Sequence, residues 1–141
     1  MIINFFETAE GLDKRAVQGG IYHVELLKKG EEQAISLYIG ESVWIIERCG
    51  IHLYAFFENP SYFGLTKIDL EDDSLILKFS FREKIEGKKS VLSIGKYKEA
   101  ELRYIKEDNP ITQLSTSDNQ IRNIDEKVRR VQDEMKKFGF R

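Results

Sequence analysis

Cysteine is nearly absent from this chain. Cys49 is the only one in 141 residues, so no internal disulfide forms, which suits a reducing, cytoplasmic compartment. Histidine is equally scarce, and His23 and His52 alone argue against a structural zinc site. No apolar run exceeds a few residues, so no segment reads as a membrane span. Residues 1–15, MIINFFETAEGLDKR, lack a basic start, a sustained apolar stretch and a small-residue cleavage site, and do not read as a signal peptide. There is no Walker-type phosphate loop and no dinucleotide fingerprint. No repeat is present, and no serine has a His partner in a recognisable frame. A surplus of positive charge is also missing. With 22 Lys and Arg against 24 Asp and Glu the net charge is -2, so any nucleic-acid contact must rest on local charge.

What is present describes one ordinary globular domain, with 41% hydrophobic and 33% charged residues. Residues 1–7 read as a short strand or arm, and 8–19 as a loop. Residues 20–28 and 33–39 are β-branched and aromatic, and the polar turn Lys28–Glu32 between them predicts a hairpin. Ser42 is a plausible N-cap for a helix whose apolar residues are Val43, Ile46, Cys49, Leu53, Phe56 and Phe57, with Gly50 as a weak point and Pro60 as its stop. Leu65–Leu70 and Leu75–Phe81, separated by Asp72-Asp73, predict a second hairpin. Glu86–Lys89 is a polar break, and Val91, Leu92 and Ile94 enter either a strand or a helix. Residues 96–108 read as a helix stopped by Asn109-Pro110. Ser117 or Asp118 opens a last helix to about Phe138, with Ile124, Val128, Val131, Met135 and Phe138 as a narrow stripe. The expected class is α+β: a small antiparallel sheet of three or more strands flanked by helices, with an added C-terminal helix.

Several polar residues fall where they can meet. Tyr22 and Tyr38 lie on the two paired strands, and a phenol both donates and accepts hydrogen bonds. Tyrosines are also common on half-buried strands for packing alone. Arg48 and His52 are four apart and share a helix face, with Trp44 on the same side. A guanidinium clamps phosphate with two parallel hydrogen bonds, and an imidazole donates to phosphate or relays a proton. A solvated helix face accounts for the same pair without any chemistry. Glu101 sits beside Ala100 on an amphipathic helix, and Mg²⁺ is held by as few as one or two carboxylates. Glu99 is the alternative, facing another way.

Gly20-Ile21-Tyr22 followed by Tyr38-Ile39-Gly40 resembles the signature of the GIY-YIG nuclease superfamily, small metal-dependent DNA-cutting domains. The family places an arginine eight residues after the second glycine, where this chain has Arg48, and some members carry a histidine one turn later, at His52 here. Its glutamate pattern is matched in register by Glu101, Ile105, Lys106 and Pro110. The resemblance covers about residues 19–113. Its triplets are spaced more widely than usual, and Thr112 and Gln113 stand where the family often has an asparagine.

The resemblance implies a nuclease-like domain, taken as residues 1–117; residues 118–141 lie outside it and read from their stripe as a helical extension, packed on the domain or in a dimer. It implies a DNA endonuclease that hydrolyses phosphodiester bonds with Mg²⁺, or Mn²⁺ in its place, held by Glu101. Tyr22, Tyr38, Arg48, His52 and Glu101 would be catalytic, Gly20, Gly40 and Gln113 would support the site, and Arg48 and Lys106 would contact DNA. A homodimer or an accessory protein would then serve to cut both strands. The alternative is a DNA-binding or assembly protein that keeps the fold with little or no cutting. Residues 118–141 carry seven basic and five acidic side chains, a local net of +2.

Overall fold

The structure is a computed structural model that describes residues 1–86 and 94–141. The Gly87–Lys89 part of the expected polar break, together with Val91 and Leu92, lies outside the described residues. The chain opens with strand β1 (Ile2–Phe5) and a small ribbon of β2 (Glu7–Thr8) and β3 (Gly11–Leu12). A 3-10 turn at Lys14–Val17 leads into the hairpin of β4 (Gly20–Lys28) and β5 (Ala34–Ser42). Helix α1 (Ile45–Glu58), a 3-10 turn at Pro60–Phe63 and the short α2 (Lys67–Glu71) come next. Strand β6 (Leu75–Lys84), α3 (Ile94–Asp108) and α4 (Ile124–Lys137) complete the order.

Four strands form one sheet in the order β1-β6-β4-β5. β4 is antiparallel to both neighbours, whereas β1 runs parallel to β6. The sheet is therefore mixed, which corrects the expected antiparallel sheet. The N-terminal strand joins a strand some seventy residues away, a pairing that no local pattern announces, with Ile3 opposite Leu77 and Phe5 opposite Phe79.

β4 lies inside the sheet and is buried on both faces, with side chains alternating between two cores. Tyr22, Val24 and Leu26 face the larger one, with Leu77 and Phe79 of β6, Cys49 and Phe56 of α1, and Val131 and Met135 of α4. Ile21 faces the smaller one, where Ile39 meets Ala100 and Ile105 of α3. Helices thus cover both sides of the sheet. Val131 and Met135 of the C-terminal stripe are fully buried within the chain, so the stripe is used here for docking.

Three further expectations are corrected. Leu65–Leu70 is not a strand: Thr66 and Asp69 form a reciprocal capping box that starts α2, so the expected hairpin of this segment with Leu75–Phe81 does not form. Ser42 does not cap α1. β5 runs on through Ser42, whose Oγ accepts from the Trp44 N–H at 3.0 Å, and the helix starts at Ile45 with Val43 and Phe57 exposed. α4 starts later than expected, after Asn123, whose side chain caps the Glu126 N–H. α1 passes through Gly50 unbroken and ends before Pro60, which opens the following 3-10 turn.

Candidate functional site

The site begins with a pairing inside the sheet. Tyr22 stands directly opposite Gly40, and a Cβ at Gly40 would clash with the hydroxyl end of the Tyr22 ring. Only glycine leaves room for the phenol to lie across β5. Gly20 plays a related part at the other strand edge: its φ is 154°, and a Cβ there would run into the Glu83 carbonyl of β6.

Seated on Gly40, the Tyr22 ring is 1% exposed, and its Oη lies 2.6 Å from His52 Nε2. His52 projects from α1 into the same space and is itself buried. Its other nitrogen, Nδ1, lies 2.7 Å from Tyr62 Oη. The Tyr38 ring completes the group, 6.1 Å from Tyr22 and 5.2 Å from His52 between centroids. Arg48 is exposed one turn before His52, and its charge bears on Tyr22, Tyr38 and Tyr62. Trp44, at the start of the same helix, is half exposed. Arg48 and His52 share a side of α1, yet the imidazole points inward while the guanidinium stays at the surface.

Glu101 approaches from α3, across the β5 side of the sheet. Its carboxylate is buried and acts on Tyr38. Lys98 Nζ lies 3.5 Å from Glu101 Oε1 and 3.8 Å from Glu41 Oε1, and also pairs with Asp118. Gln113 is buried beneath this group, in the place the resemblance gives to site support. It clamps Ile39 from both sides: its Oε1 accepts from the Ile39 N–H at 2.9 Å and its Nε2 donates to the Ile39 carbonyl at 2.7 Å. A third contact runs from Nε2 to the Asp118 carbonyl at 3.1 Å, tying the start of the C-terminal segment to β5.

Burial dominates the electrostatics. It raises the Tyr22 phenol well above 10, aided by Tyr38 and Cys49 and opposed by Arg48. Tyr38 is pushed up to about 12 by burial and then by the Glu101 charge. His52 is lowered to about 4 by burial and then by Arg48, so it is neutral at pH 7. Glu101 is raised to about 8 by burial, opposed by Lys98 and reinforced by Asp118 and Glu41. At neutral pH both tyrosines are therefore proton donors, and burial keeps the Glu101 carboxyl largely protonated even with the Lys98 ammonium beside it.

Tyr22, Tyr38, His52, Arg48 and Glu101 are thus brought together. Lys106 is not. It lies five residues beyond Glu101, turned to another face of α3, where it lines a shallow groove with Glu99, Leu102 and Arg103. Glu99 is exposed on that same side. Among the described residues no group of three or more His, Cys, Asp or Glu side chains is placed to hold a metal ion on its own. The donor chemistry at Glu101 still fits Mg²⁺, which needs one or two hard carboxylate oxygens and completes its shell with water and phosphate. The Lys98 ammonium already marks the position as one that attracts a cation.

The sequence reading missed Tyr62, Lys98, Glu41 and Asp118. Tyr62 had one available signal, since Asn59-Pro60 predicts a capped helical turn that would carry it beside α1. No protein-family model, no curated protein and no solved structure matches the chain. Among the described residues, no helix is long and apolar enough to cross a membrane.

Proposed function

We propose that this chain is a divalent-metal-dependent DNA endonuclease of the GIY-YIG type, hydrolysing phosphodiester bonds. One observation carries the reading: two tyrosines, a histidine, an arginine and a buried carboxylate from four separate elements converge on one end of the sheet. Arg48, the exposed cation of the group, receives the scissile phosphate and offsets charge as it develops. Tyr22 presents its hydroxyl to the attacking water, held in place by Gly40 beneath and His52 behind. Tyr38 packs against both and keeps bulk water off the Tyr22–His52 hydrogen bond. Glu101, held against Lys98, would bind Mg²⁺ or Mn²⁺, which when bound supplies a Lewis acid for the phosphate oxygens. Gln113 keeps the Tyr38–Gly40 segment of β5 in register with α3. A solitary site of this kind serves one strand at a time, so cutting both strands calls for a second copy or an accessory protein.

The test is cleavage of supercoiled plasmid with Mg²⁺ or Mn²⁺, comparing the wild-type chain with Glu101→Ala and Arg48→Ala. The reading expects nicked or linear product from wild type and a loss of at least about 100-fold in either variant. Equal cutting by all three removes the site assignment.

The Lys98 contacts favour a second reading. An ammonium among Glu101, Glu41 and Asp118 satisfies those carboxylates without a metal. A protein that keeps the fold to bind DNA or assemble on it would use such an arrangement. It predicts DNA binding that is insensitive to Mg²⁺ and no cutting by the wild-type chain.

A further inference from the structure

The polar chain at Tyr22 does not stop at His52. Behind the imidazole stands Tyr62, and behind Tyr62 stand two side chains from the C-terminal segment. Lys127 of α4 is 4% exposed, and its Nζ donates to Gln120 Oε1 at 2.7 Å and to the Tyr62 carbonyl at 2.9 Å. The Gln120 Nε2 lies 3.5 Å from Tyr62 Oη.

Donor and acceptor rules give this chain a direction. An ammonium only donates, so the Gln120 atom that touches Lys127 is its carbonyl oxygen, and the amide nitrogen is turned toward Tyr62. An amide nitrogen also only donates, so Tyr62 Oη accepts there. The single Tyr62 proton then points to its remaining partner, His52 Nδ1. The opposite arrangement makes Tyr62 Oη accept from both Gln120 and His52 and leaves its proton no protein acceptor among the described residues. With Nδ1 accepting, Nε2 carries the ring proton and donates it to Tyr22 Oη.

We propose that Lys127, Gln120 and Tyr62 act as positioning residues that hold His52 in its Nε2–H tautomer, so that His52 is a hydrogen-bond donor to Tyr22 Oη. The inference rests on the nuclease reading for its consequence and on hydrogen-bond geometry alone for its substance. Its consequence is specific. The Tyr22 proton is turned away from His52 and toward Tyr38, while Arg48, which can only donate, faces the same phenol oxygen. The Tyr22 oxygen is thus an acceptor faced by the Nε2–H donor and the Arg48 charge, and His52 is a donor to that oxygen, not the base that takes its proton. The C-terminal segment, outside the span of the family resemblance, thereby sets the hydrogen bonding of the central tyrosine.

Nuclear magnetic resonance of the full chain, labelled with ¹⁵N-histidine, reads the tautomer directly and needs no DNA. The two imidazoles are assigned with His23→Gln. The expected result is an Nε2–H tautomer for His52 in wild type, with Nδ1–H signal appearing in Tyr62→Phe and in Gln120→Ala. Lys127→Arg, which keeps a donor at Gln120 Oε1, is expected to retain the wild-type pattern. Cleavage by Tyr62→Phe is expected to fall roughly 10- to 100-fold in kcat with little change in KM, as when an orienting hydrogen bond behind a functional imidazole is lost. A wild-type His52 in the Nδ1–H form overturns the proposal. So does an unchanged tautomer in both Tyr62→Phe and Gln120→Ala, and if Tyr62→Phe fails to fold, Gln120→Ala decides. An Nε2–H pattern in a chain that cuts no DNA sinks the nuclease reading and leaves this one standing.

Discussion

Tyr22 and Gly40 occupy one position between them: the phenol of the first fills the space where the second would carry a side chain. The relationship explains why a glycine ends one triplet and a tyrosine ends the other. Gly40→Ala forces the ring off β5 and away from His52. The expected cost is about 2 kcal/mol of stability, in the range for overpacking a tight core site. In a Tyr22→Ala background the same change is expected to cost under about 0.5 kcal/mol, because the competing ring is gone. Chemical denaturation of the four proteins checks this, and additive costs would show that the two residues are not coupled.

Glu101 predicts a stability that depends on pH in an unusual direction. Its carboxyl is raised to about 8 by burial. Between the ordinary carboxylate range and about 8 the unfolded chain has lost this proton while the folded chain keeps it, so this residue's contribution to folding weakens as pH rises. Glu101→Gln removes the effect. In metal-free buffer the variant is expected to gain on wild type as pH rises from about 5 to 8, by more than about 2 kcal/mol at roughly 1.4 kcal/mol per pKa unit. Parallel stability curves for the two proteins across that range would contradict the buried, proton-holding carboxyl.

The hairpin and its two tyrosines were legible because β4 and β5 are neighbours in sequence and announce themselves by composition. Glu101 is one of 24 acidic residues, and only its place beside Ala100 on an amphipathic helix, together with the resemblance, singles it out. What stayed hidden is non-local. β1 joins β6 across the length of the domain, and Lys127 reads as a charge on a polar helix face until α4 docks and buries it. α2 was hidden for another reason: Leu65, Ile68 and Leu70 before the Asp72-Asp73 turn suggest a strand, and the Thr66–Asp69 capping box outweighs them. His52, which on sequence fits a solvated helix face as well as a site, makes hydrogen bonds through both ring nitrogens.

Gln113 is expected to be more than a spacer. Two hydrogen bonds of its amide go to the backbone of Ile39, between Tyr38 and Gly40. Gln113→Leu keeps the bulk and leaves a buried N–H and C=O unpaired, at an expected cost of about 2–4 kcal/mol for the two together. Gln113→Asn, one methylene shorter, is expected to fall between the variant and wild type. Hydrogen exchange at the Ile39 amide locates the effect: it should quicken in Gln113→Leu more than at the Val24 amide of β4. Equal exchange at Ile39 in the variant and wild type would remove the clamp.

The end of the described chain is fastened by a buried charge. Asp69 is fully buried in α2, and Arg141 pairs with it while Gln132 of α4 donates to Oδ2 at 2.8 Å. The same Oδ2 accepts from the Thr66 N–H at 2.8 Å, so one carboxylate both caps α2 and anchors α4. Removing Arg141 leaves that carboxylate buried without its cation, and the penalty is the uncompensated charge more than the lost contact. Arg141→Ala is expected to cost about 3 kcal/mol, and Arg141→Lys distinctly less, because an ammonium still supplies the charge. Asp69→Asn in the Arg141→Ala background removes the stranded charge and keeps an oxygen for the Thr66 cap, so it should recover part of the loss. Because α4 brings Lys127 to Tyr62, Arg141→Ala should also quicken hydrogen exchange along α4 and toward the Tyr62 turn before it affects β4. Stability in Arg141→Ala equal to wild type would mean that the Asp69 charge is satisfied without the arginine, and that Gln132 and Thr66 alone hold α4 against α2.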